Sequence, residues 1–431
     1  MDIPKLYSLF QENPVVSTDT RECPPGSIFF ALRGATFDGN QFARQALETG
    51  CVAAIVDDAD IATTDSRMIL VPDVLQTLQN LATYHRHQLA IPIVQITGTN
   101  GKTTTKELTA TVLAERYRVH FTQGNLNNHI GVPKTLLQLN PEHEMAVIET
   151  GANHPGEIAL LSRIADADCG LITNVGMAHL EGFGSFEGVV RTKGELYDHL
   201  RGKVGGYIFL NADDEHLLRM ADRLPAVRYG RPGQDYEVEG EIVACEPLLH
   251  LRWRVHSGIW QDVQTQLIGS YNINNVLAAA AVGTHFGVSP EQISHAIAKY
   301  VPTNSRSELR QTAHNTLVVD AYNANPTSMR AALDNFRLIS HPHKMVILGS
   351  MRELGEATAT AHADVAAQLR TLGAETVWLV GEEFRPCSAG FRHFPDVDAV
   401  KEALATSPVS GKLILIKGSN STKLYQLPPL L

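Results

Sequence analysis

The chain has 431 residues, of which 44% are hydrophobic and 19% are charged, and this composition is typical of a globular protein with about three domains. Its formal net charge of −10 excludes a general nucleic-acid binder, because binding to a phosphate backbone requires a basic face. Its five cysteines are widely spaced and include no C-x-x-C pair, so we expect reduced core thiols rather than a disulfide framework or a zinc site.

Membrane and export signals are not found in the sequence. Residues 1–10 lack the basic segment and apolar core of a secretion signal, and no apolar run is long enough to span a bilayer. We therefore expect a cytoplasmic protein without a membrane span.

The first segment, residues 1–89, is predicted to form a small α/β domain. Its apolar runs predict strands at 27–32 and 52–56, and its helical spacing predicts helices at 41–49 and 74–88. Polar loops precede and follow the first strand. Such loops either bind a nucleotide or sugar or are solvated turns, and the residue types do not decide between the two.

Residues 90–302 are predicted to form a central domain that begins with a phosphate-binding loop. An apolar, β-branched run at 91–96 leads into Gly98-Thr99-Asn100-Gly101-Lys102-Thr103-Thr104, and a helix can follow. Such a turn points backbone N–H groups and the positive end of a helix dipole at an anion. We predict that Lys102 binds the terminal phosphates of a nucleotide and that Thr103 holds Mg²⁺. The alternative is a glycine-rich turn without a ligand, because the G-x-x-G-K-T spacing is shorter than the general motif.

Strand and helix patterns alternate through the rest of this segment. Candidate strands at 118–122, 145–148, 169–174 and 207–210 predict a mostly parallel, doubly wound sheet. Ligands on such sheets bind at the carboxyl ends of the strands, which selects the phosphate loop and the polar clusters that follow the later strands. Residues 236–268 have alternating polarity instead, and this pattern predicts an antiparallel insertion or edge.

Residues 303–431 are predicted to form a third, Rossmann-like α/β domain. Strands are predicted at 316–320, 345–348, 376–380 and 413–416, with helices after Pro326, near Thr360 and near Val397. Polar clusters at 320–326, 349–355 and 417–419 follow three of these strands. The fold class is therefore predicted as three-domain α/β.

Three side chains near the predicted strand ends are candidates for ionic chemistry. Glu149 ends an apolar strand, where an unpaired carboxylate is costly, so we prefer Mg²⁺ ligation beside Thr103 to a plain surface position. His179 alone would be a hydrogen-bonded loop residue, and its proximity to Glu149 makes it a candidate ligand. Composition alone predicts that Lys193 is an exposed helical lysine.

Asn272 and Asn275 open an Ala-rich helix and lie on one face of its N-terminus. They would either cap the helix or present their amides to an adenine edge. The sequence leaves both roles open.

Taken together, these motifs resemble the Mur ligase family. Besides the phosphate loop, the resemblance rests on Glu149-Thr150-Gly151-Ala152-Asn153, the loop at 174–184, the segment at 271–275 and Asp320-Ala321-Tyr322-Asn323-Ala324-Asn325-Pro326, which occur along the whole chain in the family's order. The segments at 125–133 and 322–326 are most similar to the branch that uses a D-alanyl-D-alanine acceptor. One departure is Ser350, which stands where the family usually has Asp. This chain lacks the family's carboxylate there, so we assign no role to the position.

The resemblance implies an ATP-dependent ligase of peptidoglycan precursor synthesis that works as a monomer. Its substrates would be UDP-N-acetylmuramoyl-tripeptide and D-alanyl-D-alanine, its cofactors two Mg²⁺ ions, and its intermediate an acyl phosphate. The implied catalytic residues are Lys102, Lys193 and His179. The implied ATP site comprises Gly98, Thr99, Asn100, Gly101, Lys102, Thr103, Thr104, Asn272, Asn275, Arg306 and Asp320.

The resemblance also implies metal and substrate contacts. One Mg²⁺ would be held by Thr103 and Glu149, and a second by His179 with a carbamylated Lys193. Uridine diphosphate would contact Ser17, Thr18, Arg21 and Asn40. The muramoyl peptide would contact Asn125, Asn127 and Asn128, and the incoming dipeptide would contact Tyr322, Asn323 and Asn325.

Two other functions are compatible with a nucleotide-binding sequence. One is an ATP-binding regulatory protein without ligase activity. The other is a related ligase that adds a single amino acid, or a folylpolyglutamate synthase. The segments at 125–133 and 322–326 argue against the related ligases through family likeness.

Overall fold

A computed structural model describes residues 2–62, 65–303 and 306–431. Within these ranges the chain forms three sheets of four, nine and six strands, which are flanked by helices. The predicted three-domain α/β class is confirmed.

The four-stranded sheet is parallel, and its strands lie in chain order. The predicted strands at 27–32 and 52–56 and the helix at 74–88 are confirmed, whereas a 3₁₀ turn, Gly39–Phe42, replaces the start of the helix predicted at 41–49. The elements of this part are α1 (Ile3–Glu12), β1 (Val16–Ser17), β2 (Ile28–Phe30), α2 (Ala43–Glu48), β3 (Ala53–Val56), β4 (Met68–Leu70) and α3 (Val74–Gln88).

In the nine-stranded sheet, seven neighbouring strands pair in parallel. Two further strands extend one edge, and each of them is antiparallel to the strand before it. All five strands predicted between 91 and 210 are present, and the β-rich stretch at 236–268 forms the antiparallel edge. The strands are β5 (Ile93–Thr97), β6 (Val119–Phe121), β7 (Met145–Glu149), β8 (Cys169–Ile172), β9 (Tyr207–Asn211), β10 (Ala226–Gly230), β11 (Val238–Cys245), β12 (Leu248–Val255) and β13 (Gln261–Ile268). The helices are α4 (Lys102–Ala114), α5 (Gly131–Leu136), α6 (Glu157–Ala165), α7 (Leu180–Phe183), α8 (Phe186–Gly202), α9 (Glu215–Ala221), α10 (Ile273–His285) and α11 (Pro290–Lys299).

The strand order of this sheet places three functional strand ends side by side. β5 lies between β7 and β8, and all three strands are parallel. Ile96 on β5 pairs with Glu149 on β7, and Thr97 pairs with Ile172 on β8. The loops that follow β5, β7 and β8 therefore open at the same edge of the sheet, where ligands of such folds bind.

Close packing brings α10 to the phosphate loop. Its Ala-rich run is buried against α4, and a Cβ added at Gly283 would lie 2.3 Å from Cγ1 of Val112. Small side chains thus let the two helices approach each other closely. As a result, the N-terminus of α10 lies beside the N-terminus of α4.

The six-stranded sheet has one antiparallel edge strand, and its other neighbouring strands are parallel. The four predicted strands and three predicted helices of this part are confirmed. The elements are β14 (Glu308–Gln311), β15 (Thr316–Asp320), α12 (Pro326–Leu338), β16 (Lys344–Gly349), α13 (Thr358–Arg370), β17 (Thr376–Val380), β18 (Arg392–Phe394), α14 (Val397–Thr406) and β19 (Leu413–Lys417).

One apolar core joins the first two sheet regions. It contains Leu6 and Phe10 from α1, Leu78 from α3, and Leu136 and Leu161 from α5 and α6. Helix α1 begins at an Asp2 cap that accepts a hydrogen bond from Lys5 N at 3.1 Å, and it turns its apolar side to this core. The first region therefore packs on the central region through a shared apolar layer.

One pair of the five cysteines is close in space. The sulfurs of Cys23 and Cys51 are in contact, although the two residues lie 28 positions apart in the sequence. The β2 strand and α2 fold back between them and bring the two ends together, which spacing alone does not indicate. Cys169, Cys245 and Cys387 are free.

No helix in the described ranges combines the length and the apolar character that a bilayer span requires.

Candidate active site

The phosphate loop depends on two glycines with positive φ. Gly98 has φ 140°, and a Cβ there would lie 2.0 Å from Oγ1 of Thr173. Gly101 has φ 79°, and its Cβ would lie 2.6 Å from Oδ1 of Asn275. Side chains at either position would collide with the loop after β8 or with α10. The loop is therefore held tightly between its neighbours, directly before the N-terminus of α4.

Lys102 is the first residue of α4, and its ammonium folds over the loop. Its Nζ donates to the carbonyl oxygens of Gly98 at 2.9 Å and Thr99 at 3.1 Å. Burial lowers the pKa of Lys102 to about 8, an effect that the Glu149 carboxylate opposes and the Arg306 guanidinium reinforces. A half-buried positive charge beside loop amides suits the binding of phosphates.

Glu149 ends β7 as a buried carboxylate with one satisfied oxygen. Its Oε1 accepts a hydrogen bond from Nδ2 of Asn127 at 2.8 Å, and its backbone N–H donates to Oγ1 of Thr122 at 2.9 Å. Its Oε2 is buried and has no hydrogen-bond partner. Because a buried anionic oxygen is costly without a positive partner, this atom fits the ligand set of a hard cation.

Lys193 lies on α8 with only 2% of its surface exposed, so the interpretation as an exposed helical lysine is wrong. Burial and, to a smaller extent, the nearby charge of Lys102 lower its pKa to about 7, while the carboxylates of Glu157 and Glu195 oppose this shift. Its Nζ lies 5.4 Å from the centre of the Phe183 ring. At neutral pH a large share of this amine is uncharged.

His179 precedes α7 in a left-handed conformation with φ 51°. Its Nδ1 contacts the carboxylate of Glu353, which comes from the loop after β16. Burial lowers the pKa of His179, the Glu353 carboxylate opposes that effect, and the positive charges of Lys102 and Lys193 add to it. His179 therefore belongs to the same electrostatic cluster as both lysines.

The two asparagines at α10 are linked side chains rather than helix caps. Asn275 Nδ2 donates to Oδ1 of Asn272 at 2.7 Å, and Asn272 Nδ2 donates to the Ile268 carbonyl at 2.8 Å. Thr105 on α4 donates to Oδ1 of Asn275 at 3.0 Å. The capping alternative is wrong for Asn272, because its side chain makes no cap hydrogen bond although it occupies the N-cap position.

The six-stranded region supplies the opposite wall of the site. The Arg306 guanidinium lies 4.0 Å from the centre of the Tyr322 ring. Lys417 at the end of β19 is buried, and its Nζ donates to Oδ2 of Asp320 at 2.5 Å and to the Asn323 carbonyl at 3.3 Å. The lysine thus fixes the start of the segment at 320–325.

A cavity of about 620 Å³ brings these groups together between the nine-stranded and six-stranded regions. Its size is suited to a nucleotide and part of a second substrate. Predicted site residues that line it are Thr99, Asn100, Gly101, Lys102, Thr104, Asn125, Asn127, Asn128, Glu149, His179, Asn272, Asn275, Arg306, Asp320, Tyr322 and Asn323.

Among the described residues, the other site residues predicted from the sequence do not line this cavity. Gly98 and Thr103 are chain neighbours of lining residues, and Lys193 is buried on α8. Asn325 caps α12, and its Nδ2 donates to Oδ1 of Asn100 at 2.8 Å. The four N-terminal residues lie on the four-stranded region. Their predicted contacts with uridine diphosphate remain predictions for Ser17, Thr18, Arg21 and Asn40.

Two of these N-terminal side chains form hydrogen bonds within the four-stranded region. Asn40 is fully buried and bonds through its amide to Asp38 and Asp57. Ser17 donates to the carbonyl of Glu22 at 2.9 Å inside its turn. Arg21 is instead exposed and pairs with Asp19.

Sequence reasoning did not assign Lys417 or Glu353 to the site. Lys417 follows a predicted strand, which made it a candidate. Its contact with Asp320 could not be predicted, because that contact depends on the pairing of β15 with β19. Glu353 lies in the polar cluster at 349–355 that follows a predicted strand, but its contact with His179 joins loops of two regions and was not predictable from the sequence. Ser350 is buried and donates to the Val380 carbonyl at 3.1 Å, so in this chain the position is structural.

The metal-binding capacity of the site rests on the Glu149 carboxylate together with a bound nucleotide. The described residues contain no group of three His, Cys, Asp or Glu side chains placed to hold a metal ion. A cation bound between Glu149 and nucleotide phosphates would therefore complete its shell with phosphate oxygens, a hydroxyl and water, as Mg²⁺ commonly does.

Models of protein families match three parts of the chain. The model of the Mur ligase middle domain matches residues 96–283. The model described as the glutamate ligase domain of Mur ligases matches residues 305–420, and that of the catalytic domain of the Mur ligase family matches residues 14–86.

Individual proteins are similar over nearly the whole chain. The UDP-N-acetylmuramoyl-tripeptide–D-alanyl-D-alanine ligase of Bacillus subtilis is 35% identical over 426 residues, which cover 96% of this chain and 92% of that protein. A crystal structure of MurF from Acinetobacter baumannii has a TM-score of 0.86 at 30% identity and covers 97% of this chain and 96% of that one. MurF ligase from Thermotoga maritima in complex with ADP also has a TM-score of 0.86, at 25% identity with 97% of each chain covered.

Proposed function

The chain belongs to the Mur ligase family, and from this premise we propose that it is an ATP-dependent ligase that joins D-alanyl-D-alanine to UDP-N-acetylmuramoyl-tripeptide. The amide bond is formed in the synthesis of a peptidoglycan precursor. The observation that carries the proposal is the cavity in which the phosphate loop, the buried Glu149 carboxylate and the segment at 320–325 meet.

The family likeness implies a reaction in two steps. A carboxylate oxygen of the peptide attacks the γ-phosphorus of ATP, so that an acyl phosphate forms and ADP leaves. The amine of D-alanyl-D-alanine then attacks the acyl carbon, and the tetrahedral intermediate expels inorganic phosphate. The first step brings two anions together, and the positive charges of Lys102 and Arg306 reduce their repulsion.

The acyl phosphate must be protected from water until the amine attacks. The walls of the cavity come from two separate sheet regions, so the approach of these regions would exclude water from the reacting atoms. Tyr322 and Asn323 line the wall that belongs to the six-stranded region. We propose that these residues, with Asn325, meet the dipeptide.

We propose that Thr103 and Glu149 hold one Mg²⁺ and that His179 and Lys193 hold a second. The unpartnered Oε2 of Glu149 supports the first site. The second site requires Lys193 to be converted from a cation to an anion, because an ammonium group cannot bind a metal ion. Bound Mg²⁺ would offset the negative charge of the triphosphate. The protein residues then orient that triphosphate through the loop amides and Lys102.

We further propose that Lys193 is carbamylated. An uncharged amine can attack CO₂, which forms an N–C bond, releases a proton and leaves a carbamate anion. The burial of Lys193 and its pKa of about 7 favour the uncharged amine near neutral pH. The carbamate would also replace a buried positive charge near Lys102 with an anion that can bind a cation.

The other assignments rest on the family likeness. We propose domains at 1–89, 90–302 and 303–431, which correspond to uridine diphosphate binding, ATP binding, and closure with dipeptide binding. We propose that Asn125, Asn127 and Asn128 contact the muramoyl peptide. We also propose that the protein is a monomer and that it is located in the cytoplasm.

A phosphate-release assay tests the proposed function. The full chain, Mg²⁺, ATP and UDP-N-acetylmuramoyl-tripeptide are incubated with D-alanyl-D-alanine, with single amino acids, or without an acceptor. Release that depends on both the tripeptide and the dipeptide supports the proposal. Release with glutamate and a folate, or ATP binding without any release, would replace it with one of the other two functions.

A further inference from the structure

Two loops that are distant in the sequence meet beside the cavity. Glu353, in the loop after β16, contacts His179, in the loop after β8, across a separation of 174 residues. Both residues have a left-handed backbone, with φ 51° at His179 and 61° at Glu353. Such conformations are unfavourable for residues other than glycine and persist where surrounding contacts require them.

The contact determines which nitrogen of His179 is free. An ionised carboxylate only accepts hydrogen bonds, so Nδ1–H of His179 donates to Glu353. In the neutral ring this leaves the lone pair on Nε2. Within the described ranges Nε2 forms no hydrogen bond, and His179 lines the cavity.

The loop that carries Glu353 is anchored to the six-stranded region. Ser350 donates to the Val380 carbonyl, Met351 N donates to Nε2 of His362 at 3.1 Å, and Arg352 forms an ion pair with Glu383. Residues 350–352 are thus fixed immediately before Glu353. The position of Glu353 therefore follows the position of that whole region.

We propose that Glu353 is a positioning residue that orients His179 toward the cation of the ATP site, so that one sheet region completes the metal site of the other. The inference rests on the proposed function. Histidines that bind metals commonly donate their second ring N–H to a carboxylate, and loss of that carboxylate weakens metal affinity. Here the carboxylate comes from the region that would close over the nucleotide, so metal binding and closure are coupled.

The test measures Mn²⁺ binding to the full chain by electron paramagnetic resonance, in the presence of a non-hydrolysable ATP analogue. The variants are Glu353→Ala, His179→Ala and the double substitution. The matched control is Glu356→Ala, which alters an exposed glutamate of the same loop. The Glu353 side chain is 52% exposed, so its removal should leave thermal unfolding nearly unchanged.

We expect Glu353→Ala to weaken one Mn²⁺ site by about tenfold to a hundredfold, and Glu356→Ala to leave it unchanged. The double variant should bind no more weakly than His179→Ala alone, because Glu353 acts through that ring. Unchanged Mn²⁺ affinity in Glu353→Ala, or losses that add in the double variant, would overturn the inference while the proposed function stands. Absence of Mn²⁺ binding by the unaltered chain would overturn the proposed metal sites themselves.

Discussion

Buried charges distinguish the site at the scale of single residues. Lys193 and Glu149 are buried, Lys102 is half-buried, and none of the three forms an ion pair with another side chain in the described ranges. Burying such charges is costly unless a ligand compensates them. The sequence indicated Lys102 through the phosphate-loop motif and Glu149 through its place at the end of a predicted strand. It did not indicate the burial of Lys193, which depends on the packing of α8.

Lys102→Ala should reduce ATP-dependent phosphate release by at least about a hundredfold, because the substitution removes the charge nearest the loop. The assay is steady-state phosphate release with both substrates saturating. Lys401→Ala, on the distant α14, is the control and should retain normal turnover. Near-normal turnover in Lys102→Ala would contradict the assigned role.

Lys193 should make stability depend on pH in a defined direction. Its pKa is about 7 in the folded chain, whereas an unfolded lysine titrates at about 10.4, so between these values the unfolded chain binds more protons. The free energy of unfolding therefore rises with pH through this window. In Lys193→Met the free energy of unfolding should rise less steeply with pH. The variant should melt at a higher temperature than the unaltered chain at or below about pH 7, and the difference should vanish near about pH 10.

These melting curves are recorded in buffer free of CO₂, so that carbamylation does not contribute. Lys401→Met, which alters an exposed ion pair, should follow the unaltered chain. If the melting temperatures of Lys193→Met and the unaltered chain change in parallel with pH, the Lys193 amine is not the source of the pH dependence.

At the scale of elements, long apolar segments were predictable and short or polar ones were not. The strand at 376–380 and the helix at 74–88 have the predicted bounds, because the strand is a short, nearly continuous apolar run and the helix repeats its buried residues with a helical period. The edge strand β14 and the two-residue β1 were missed. Their sequences carry little apolar signal, and their strand conformation comes from neighbours in the sheet.

Gly98→Ala tests whether the geometry of the phosphate loop is as tight as the structure indicates. The added Cβ would lie 2.0 Å from Oγ1 of Thr173 in a backbone with φ 140°, so we expect about 2–3 kcal/mol of destabilisation and loss of ATP binding. Gly202→Ala is the matched control. No atom lies within 4 Å of its added Cβ, and it should be neutral or slightly stabilising at the end of α8.

Denaturant unfolding and calorimetric titration of ATP measure these two effects. If Gly98→Ala binds ATP like the unaltered chain, the loop adapts, and the account of the phosphate site must change.

At the scale of the whole molecule, the site exists where two regions meet. His179 contacts Glu353, Asn100 contacts Asn325, and Tyr271 bonds to Ser307 through hydroxyls 2.6 Å apart. The sequence predicted His179, Asn100 and Asn325 as site residues by strand ends and family likeness, but it did not assign Glu353 or Ser307 to the site. It did not predict their pairing, because each pair joins segments that are far apart in the chain.

Asn325→Ser separates the capping role of this residue from its contact with the phosphate loop. Serine keeps the cap of α12 but is too short to reach Oδ1 of Asn100. Losing about 1 kcal/mol of hydrogen bonding should lower kcat about fivefold, with melting temperature nearly unchanged. Asn325→Ala, which removes both roles, should also lower the melting temperature.

The two outcomes for Asn325→Ser have different meanings. A fall in kcat supports the contact between regions. A rise in KM for the dipeptide with unchanged kcat would show instead that Asn325 binds the acceptor directly.

The most direct test of the central claim follows an oxygen atom through the reaction. UDP-N-acetylmuramoyl-tripeptide labelled with ¹⁸O in its terminal carboxylate is incubated with ATP, Mg²⁺, D-alanyl-D-alanine and the full chain, and the products are analysed by mass spectrometry. An acyl phosphate formed at Lys102 requires one ¹⁸O atom to appear in inorganic phosphate for each amide bond. Label found in AMP, or unlabelled phosphate released with the amide product, would contradict the account.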